Sequence, residues 1–274
     1  MIKVKSLHIY PIKALAGIQL DEVEITSRGL KHDRRWVLID KQNKFISQRE
    51  YPQLALLHPQ IGANEMTIID KSGKMSKLRF SLAEPNSIEE EVTVWDDRMP
   101  VKEVSQETNL WFSQFMEMDV RLMYMHEDSI RQADQRYAIK ASDKVSFADG
   151  YPVLIVSEAS MEFLNAKLEE TLSIDRFRGN IIVSGSTPHE EDTWREIKIG
   201  QQQLFGVKPC ARCQVTTIDP ETATYGKEPL KTLSNYRRLD HKILFGENFI
   251  PGNESTIRIG DEIEVFERKT APII

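Results

Sequence analysis

Two cysteines, the only ones in this chain of 274 residues, stand three positions apart in the stretch KPCARCQVTTID, residues 208–219. A thiolate can bind a metal or take part in redox exchange, so this pair is the natural starting point for any chemistry. Lys208 and Arg212 flank the cysteines, and a nearby cation stabilises a deprotonated sulfur. The flanking charges therefore favour a thiolate, but they leave its role open.

Four interpretations of the cysteine pair are compatible with the residues around it. Tetrahedral zinc needs four ligands, and the six histidines are scattered, with none near the pair in sequence. A thioredoxin-type dithiol stands between a strand and a helix, whereas QVTTID after Cys213 is β-prone. The pair could also be two small buried residues at a turn. The last interpretation is a single thiolate ligand to a heavier metal that a non-protein group mainly holds, and an anionic group of that kind would be attracted by the same flanking cations.

The composition is that of a protein in a reducing compartment. Two cysteines are too few for a secreted disulfide scaffold, and no stretch has the apolar run of a signal peptide or a membrane span. The formal charge of −6 is spread along the chain, without the basic surface that nucleic acid requires. We therefore expect a cytoplasmic protein that binds neither membranes nor nucleic acid.

Short strands dominate the predicted secondary structure, as in a barrel or sandwich. The clearest are WVLID, MTIID, LRFSL, EVTVW and RLMYM in the first half. REIKIGQQQLFG and STIRIGDEIEVF each read as a hairpin around a glycine turn. Helices are predicted over residues 105–118, 157–172 and 228–239, the third opening with a proline near its start.

An ordered series of longer segments carries a resemblance over nearly the whole chain. The segments are PIKALAG (11–17), DRRWVLID (33–40), FISQREYPQLALL (45–57), RFRGNIIVSG (176–185), EDTWREIKIG (191–200), PCARCQVTTIDPET (209–222), EPLKTL (228–233) and IRIGDEI (257–263). Together they resemble the MOSC family, named for the C-terminal domain of molybdenum cofactor sulfurase. Within it they are most similar to the subgroup of the mitochondrial amidoxime-reducing component and its bacterial relatives.

The resemblance implies a mostly β fold with some helix, of the α+β class. We expect an N-terminal β-barrel-like domain, residues 1–120, packed on a MOSC β-barrel domain, residues 121–274. The boundary is placed just after the first predicted helix.

The resemblance also implies a cofactor, molybdenum held by the dithiolene of a pterin (Mo-molybdopterin). In this subgroup the second cysteine of the motif completes the sulfur ligands, so Cys213 becomes the metal ligand and the catalytic position. Cys210 is then a neighbour that does not touch the metal, and Arg212 joins the cofactor-binding residues.

The family pattern assigns further residues to the cofactor. Lys13 and Arg34 face its phosphate, while Arg178 and Asn180 approach from the C-terminal domain, and guanidinium groups suit a phosphate well. Ala14 departs from the pattern, because the family usually has serine there. The hydroxyl donor is missing, although the backbone N–H remains.

The implied activity is the reduction of N-hydroxylated small molecules, namely amidoximes, hydroxylamines and N-hydroxylated bases. The chain has no further cysteines for an iron–sulfur cluster, so we expect a separate electron donor: a ferredoxin, a flavodoxin, or a cytochrome with its reductase. One alternative is a molybdenum cofactor carrier or sulfur-transfer module without turnover of its own. Another is a metal-free barrel with structural cysteines.

Overall fold

The computed structural model describes residues 1–272, and strand residues (40%) far outnumber helical ones (15%). The predicted mostly β fold with some helix is confirmed. Within the described residues no helix is long and apolar enough to cross a membrane.

The described residues form nineteen strands and three α-helices. The strands are β1 (Lys3–Ile9), β2 (Ile18–Leu20), β3 (Glu22–Thr26), β4 (Gly29–Leu30), β5 (Trp36–Ile39), β6 (Leu57–Ile61), β7 (Glu65–Asp70), β8 (Leu78–Ser81), β9 (Glu89–Val94), β10 (Asp97–Glu103), β11 (Arg121–Tyr124), β12 (Val153–Ser157), β13 (Ile181–Ser184), β14 (Trp194–Ile199), β15 (Gln202–Arg212), β16 (Arg238–Leu239), β17 (Lys242–Pro251), β18 (Ser255–Arg258) and β19 (Ile263–Arg268). The helices are α1 (Gln106–Met116), α2 (Glu158–Asn165) and α3 (Leu230–Leu233).

The largest sheet joins both ends of the described chain. Its strands run in the order β19, β14, β15, β17, β12, β13, β1, β2, with β16 paired to β17. Strand β1 pairs antiparallel with β13, which places Leu7 opposite Ile181 in a core that also holds Trp194 and Phe249. The first residues of the chain are thus part of a sheet built mainly from its second half. A domain boundary at residue 120 would separate β1 and β2 from the other strands of this sheet. The boundary stays a prediction.

The remaining sheets come mostly from the first half. One has the order β5, β11, β10, β9, another β6, β7, β8, and a third β18, β3, β4. Helix α1 begins after Ser105, whose side chain accepts a hydrogen bond from the Thr108 N–H, the usual way to satisfy a free helix donor. Its apolar side, with Phe112 and Phe115, covers the core behind Trp36.

The predicted strands of the first half are all present, but two helices are shorter than predicted. Helix α2 ends at Asn165 rather than Leu172, because the Asn165 side chain bonds both the N–H and the carbonyl of Leu172 and closes a loop. Helix α3 spans four residues, since Arg237 is buried against Asp192 and the chain there turns into β16.

One predicted hairpin forms and the other does not. REIKIGQQQLFG becomes the antiparallel pair β14 and β15, turning at Gly200. In STIRIGDEIEVF both strands exist, but β18 pairs with β3 and β19 with β14. The hairpin prediction was wrong because the turn bonds Val4: the Gly260 N–H donates to the Val4 carbonyl and the Val4 N–H to the Asp261 carbonyl. These bonds to β1 direct the two strands into different sheets.

Three carboxylates are buried at the large sheet. Glu191 and Asp192 lie just before β14, and Glu247 lies in β17. Burial raises the pKa of Glu247 to about 8, although the Lys269 ammonium, 2.5 Å from its Oε1, acts in the opposite direction. Native Glu247 thus keeps a proton at pH values where the unfolded chain, with the ordinary pKa of 4.5, has released it.

This retained proton predicts a pH dependence of stability. Between about pH 4.5 and pH 8 unfolding releases the proton, so the free energy of unfolding falls as pH rises and levels off above about pH 8. Glu247→Gln should flatten this decline, an effect on the order of a few kcal/mol across the range. Urea unfolding at pH 5, 6, 7 and 8 measures it, with Glu264→Gln on an exposed position of β19 as the control. Equal slopes for wild type and Glu247→Gln would contradict the prediction.

Candidate functional site

One cavity is lined by residues from distant parts of the chain, from Lys13 to Asn248. All six residues predicted for the site line it: Lys13, Arg34, Arg178, Asn180, Arg212 and Cys213. The structure therefore brings together side chains that lie up to two hundred positions apart in sequence.

The two cysteines sit where a long strand ends. Cys210 belongs to β15 and is half-buried, whereas Cys213 follows the strand and is exposed; both are free thiols. The Cys213 carbonyl accepts hydrogen bonds from the N–H and hydroxyl of Thr216, at 3.1 and 3.0 Å. These bonds close a 3₁₀ turn, Gln214–Thr217, in place of the β structure expected for QVTTID. The turn fixes the backbone from which the Cys213 side chain projects.

This geometry discriminates among the four interpretations of the pair. Within residues 1–272 no group of three or more His, Cys, Asp or Glu side chains is arranged to hold a metal ion, as a zinc site would require. A 3₁₀ turn and not an α-helix follows Cys213, unlike the strand–motif–helix setting of a thioredoxin-type dithiol. The exposure of Cys213 also argues against a buried turn residue. The geometry favours the single-thiolate interpretation.

Arg212 lies beside the first cysteine rather than the second. Its Nη1 donates to Cys210 Sγ at 3.0 Å and its Nη2 to the Phe177 carbonyl, while its Nε is buried without a hydrogen-bond partner in the described structure. Lys208 is turned elsewhere, with its ammonium 4.7 Å from the centre of the Tyr137 ring. Of the two flanking cations only Arg212 contacts a cysteine sulfur within the described residues, and that sulfur belongs to Cys210 and not to Cys213.

Lys13 is buried at one wall of the cavity, with 8% of its surface exposed. Its Nζ donates to the Phe147 carbonyl and to Asp149 Oδ1, both at 2.7 Å, and lies 5.2 Å from the centre of the Phe45 ring. Burial lowers the pKa of Lys13, and the Asp149 carboxylate partly offsets this effect. For Asp149, whose side chain is 76% exposed, desolvation is outweighed by the Lys13 ammonium and next by the Arg34 guanidinium, so its pKa lies below the usual range. Lys13 and Asp149 thus form an ion pair at the cavity wall.

Arg34 and Arg178 come from opposite halves of the sequence and meet at another wall. Arg34 Nη1 lies 2.5 Å from Asp33 Oδ2, and its Nη2 donates to the Arg178 carbonyl at 3.2 Å. Arg178 Nη1 donates to the Leu15 carbonyl at 2.7 Å. Burial, and next the positive charge of Arg34, lower the pKa of Arg178 to about 10. An anion would stabilise these two guanidinium groups, because the charge of one disfavours the charge of the other.

Asn180 lines the cavity, but its amide is already engaged. Its Oδ1 accepts from the Leu154 N–H at 3.1 Å and its Nδ2 donates to the His8 carbonyl at 3.2 Å. The side chain thus ties β12 and β1 to the segment before β13. Its observed bonds are those of a residue that shapes the cavity.

Four non-glycine residues around the cavity adopt left-handed backbone conformations. They are Ala14 (φ 74°), Arg34 (φ 48°), Trp95 (φ 57°) and Arg178 (φ 54°). Each such residue costs roughly 1–2 kcal/mol relative to right-handed backbone, and such strain concentrates at functional sites. No hydrogen bond of the Ala14 N–H is found within the described residues, so this donor is free.

The charge of the cavity is opposite to that of the whole chain. The cations among its described lining residues are Lys13, Arg34, Arg49, Arg178 and Arg212, against the single carboxylate of Asp149. The chain as a whole carries a formal charge of −6. The cavity is therefore suited to an anionic ligand.

Sequence reasoning missed Arg49, Trp95 and Asp149. The Arg49 guanidinium stacks 4.4 Å from the centre of the Trp95 ring, and the Trp95 indole donates to Asp149 at 3.3 Å. Arg49 lies inside FISQREYPQLALL, a segment that carries the family resemblance, so that segment was an available signal. Asp149 lies in an irregular stretch between β11 and β12, where the sequence has no hydrophobic periodicity from which its position could be predicted.

Comparison with known proteins identifies the family of the chain. Residues 1–119 match the MOSC N-terminal beta barrel domain and residues 142–264 match the MOSC domain, so the chain belongs to the MOSC family. It is 32% identical to mitochondrial amidoxime-reducing component 1 of Mus musculus, over 95% of this chain and 81% of that protein. The corresponding protein of Homo sapiens is 31% identical, over 95% and 82%. Molybdenum cofactor sulfurase of Oryza sativa subsp. japonica is 30% identical, over 93% of this chain but 34% of that protein.

The ion pair at the cavity wall predicts how the site responds to losing its carboxylate. Asp149→Asn removes a negative charge from a cation-rich cavity, so inorganic phosphate should bind the cofactor-free protein more tightly, by roughly threefold or more. Isothermal titration at constant ionic strength measures this. Asp134→Asn is the matched control, because Asp134 pairs with Arg136 outside the cavity. Unchanged or weaker phosphate binding by Asp149→Asn would count against an anion site at this wall.

Proposed function

We propose that the protein binds the molybdenum cofactor in this cavity, with the Cys213 thiolate as the protein ligand to the metal. The observation that carries the proposal is the combination, in one cavity, of an exposed thiol and five cations against a single carboxylate. Thiolate is a suitable ligand for a soft, redox-active metal, and guanidinium groups suit a phosphate. Membership of the MOSC family supports the same assignment.

The residues present fit the cofactor at both of its ends. Lys13, Arg34 and Arg178 would hold the phosphate, together with the free N–H of Ala14. Arg212 has a buried Nε without a partner, a donor that a bound anion could satisfy. Asn180 would act indirectly, through the strands that its amide joins.

We further propose that the protein is an oxidoreductase that reduces N-hydroxylated compounds: amidoximes, hydroxylamines and N-hydroxylated bases. When bound, the cofactor supplies two-electron oxygen-atom exchange. The protein's part is to orient the cofactor through the cationic wall and to leave Cys213 accessible at the end of β15. Two relatives named amidoxime-reducing components, of which this chain covers 81% and 82%, support this reaction class.

Electrons for this reaction would come from a separate protein: a ferredoxin, a flavodoxin, or a cytochrome with its reductase. These 274 residues contain two cysteines, both in the cavity, whereas an iron–sulfur cluster takes about four thiolates. The cytoplasmic location stays part of the proposal.

A second candidate is a cofactor carrier or sulfur-transfer module. The similarity to part of a molybdenum cofactor sulfurase and the exposure of Cys213 favour it. In that case the cavity would load and release the cofactor, and substrate reduction would be absent.

Metal content tests the assignment of the ligand. Protein made in a host that synthesises the cofactor should contain molybdenum, and Cys213→Ser should lose most of it, by about tenfold or more. Cys210→Ser is the matched control. It should retain most of the molybdenum, because a hydroxyl can still accept the hydrogen bond that Arg212 donates to Cys210 Sγ. Elemental analysis of the purified variants measures the content. Equal trace amounts of molybdenum in wild type and Cys213→Ser would remove the metal hypothesis.

Turnover separates the enzyme from the carrier. The loaded protein is mixed with an amidoxime or a hydroxylaminopurine and a low-potential artificial donor, and product formation is followed. Molybdenum-dependent reduction supports the oxidoreductase. Loaded protein without activity on several N-hydroxylated substrates supports the carrier.

Ala14 allows a gain-of-binding test. Ala14→Ser adds a hydroxyl donor at the predicted phosphate end and should tighten phosphate binding by the cofactor-free protein about tenfold or more, because a hydrogen bond to a charged group contributes roughly 1.5–3 kcal/mol. Ala14→Gly is the control, because it relieves the left-handed backbone without adding a donor. If both variants bind phosphate alike, the hydroxyl does not reach the anion.

A further inference from the structure

One aromatic ring contacts both of the paired arginines. The Cζ atoms of Arg34 and Arg178 lie 4.4 and 4.2 Å from the centre of the Tyr10 ring. Tyr10 follows β1 directly and is 3% exposed. Both guanidinium groups are thus within the range of a cation–π interaction with the same phenol.

The backbone of Tyr10 is fixed to the turn that carries Arg34. Its N–H donates to Asp33 Oδ1 at 2.7 Å, and its carbonyl accepts from the Arg34 N–H at 2.9 Å. Its hydroxyl reaches the Gly179 carbonyl, next to Arg178, at 3.4 Å. Tyr10 therefore connects the two segments from which the arginines project.

Gly17 provides the space for this ring. A Cβ atom at Gly17 would lie 2.6 Å from Tyr10 Cε1 and 3.0 Å from Cδ1, far closer than real contacts allow. The backbone of Gly17 is not in the left-handed region, so glycine is required there by the ring and not by the chain conformation. The Tyr10 ring therefore explains why the last residue of the PIKALAG segment is glycine.

The positive charges of Arg34 and Arg178 repel each other, and Asp33 forms an ion pair only with Arg34. The electron-rich face of an aromatic ring attracts cations without competing for their N–H donors. A ring that holds both guanidinium groups in place lowers the cost of ordering them when an anion arrives.

We propose that Tyr10 is a positioning residue that holds Arg34 and Arg178 as a preformed site for a phosphate-class anion, with Gly17 reserving the space for its ring. The inference rests on the proposed function only for the identity of the anion as the cofactor's phosphate. The anion site itself can be tested without metal.

The test is inorganic phosphate binding by the full-length, cofactor-free protein, measured by isothermal titration at constant ionic strength. Wild type binds phosphate, and Tyr10→Phe, which keeps the ring, stays within about twofold. Tyr10→Leu, which removes the ring, weakens binding about tenfold, and Gly17→Ala, which displaces it, weakens binding by a smaller factor. Tyr236→Leu is the matched control: it removes a partly buried tyrosine that also contacts a cation, Lys167, outside the cavity, and binding should not change.

Several outcomes overturn the proposal. These are wild-type protein that does not bind phosphate, Tyr10→Leu binding as wild type does, and Tyr10→Phe losing as much as Tyr10→Leu. Thermal unfolding of each variant is recorded alongside. If Tyr236→Leu is destabilised to the same degree and loses phosphate equally, the effect is a general loss of stability and the proposal is wrong.

A double-mutant cycle tests whether Tyr10 acts through its arginine partners. Arg178→Lys keeps the charge but removes the planar group, and it is combined with Tyr10→Leu. If Tyr10 works by positioning Arg178, the double variant loses clearly less than the product of the two single losses. Fully multiplicative losses would overturn the positioning role. Loss of molybdenum with retained phosphate binding would instead fault the proposed function and leave this inference standing.

Discussion

The concentration of positive charge in one cavity is the constraint around which the rest of the site is organised. Five cationic side chains face a space that holds one carboxylate, in a chain whose net charge is negative. Bringing like charges together costs free energy unless each is compensated. Asp149 compensates Lys13, Asp33 compensates Arg34, and the Tyr10 ring contacts the two arginines. The positive charge that these contacts do not compensate gives the cavity its affinity for an anion.

The fold supplies this arrangement through long-range strand pairing. Because β1 pairs with β13, the segment after β1 that carries Tyr10 and Lys13 lies beside the segment that carries Arg178. Strand β15 then delivers the cysteines to the same place by pairing with β17. Left-handed residues at Ala14, Arg34 and Arg178 turn the chain sharply where these elements meet. The strain is tolerated because the surrounding sheets fix the backbone on either side.

The sequence, with its family resemblance, predicted the fold class and six residues that line the cavity, but not how the strands are connected. Runs of β-branched and aromatic residues identify strands such as β5 and β7, because alternation and composition are local properties. The partner of β18 is not a local property: the turn at Gly260 bonds Val4, more than two hundred positions away, and this contact decided against the hairpin. The end of α2 likewise depends on one side chain, Asn165, bonding Leu172. Asn180 lines the cavity as the family pattern implies, yet its bonds to strand backbones are visible only in three dimensions.

The pairing of β1 with β13 also has a consequence for biosynthesis. A ribosome makes Lys13 and Arg34 early, yet Cys213 emerges only after roughly three-quarters of the chain, and β17, its neighbour in the sheet, follows later still. Strand β2 pairs with one edge of β1 early, but the other edge has no partner until β13 has been made. The cavity therefore cannot form until β15 has been made, and the unpaired edge of nascent β1 is a feature that promotes aggregation of incompletely folded chains.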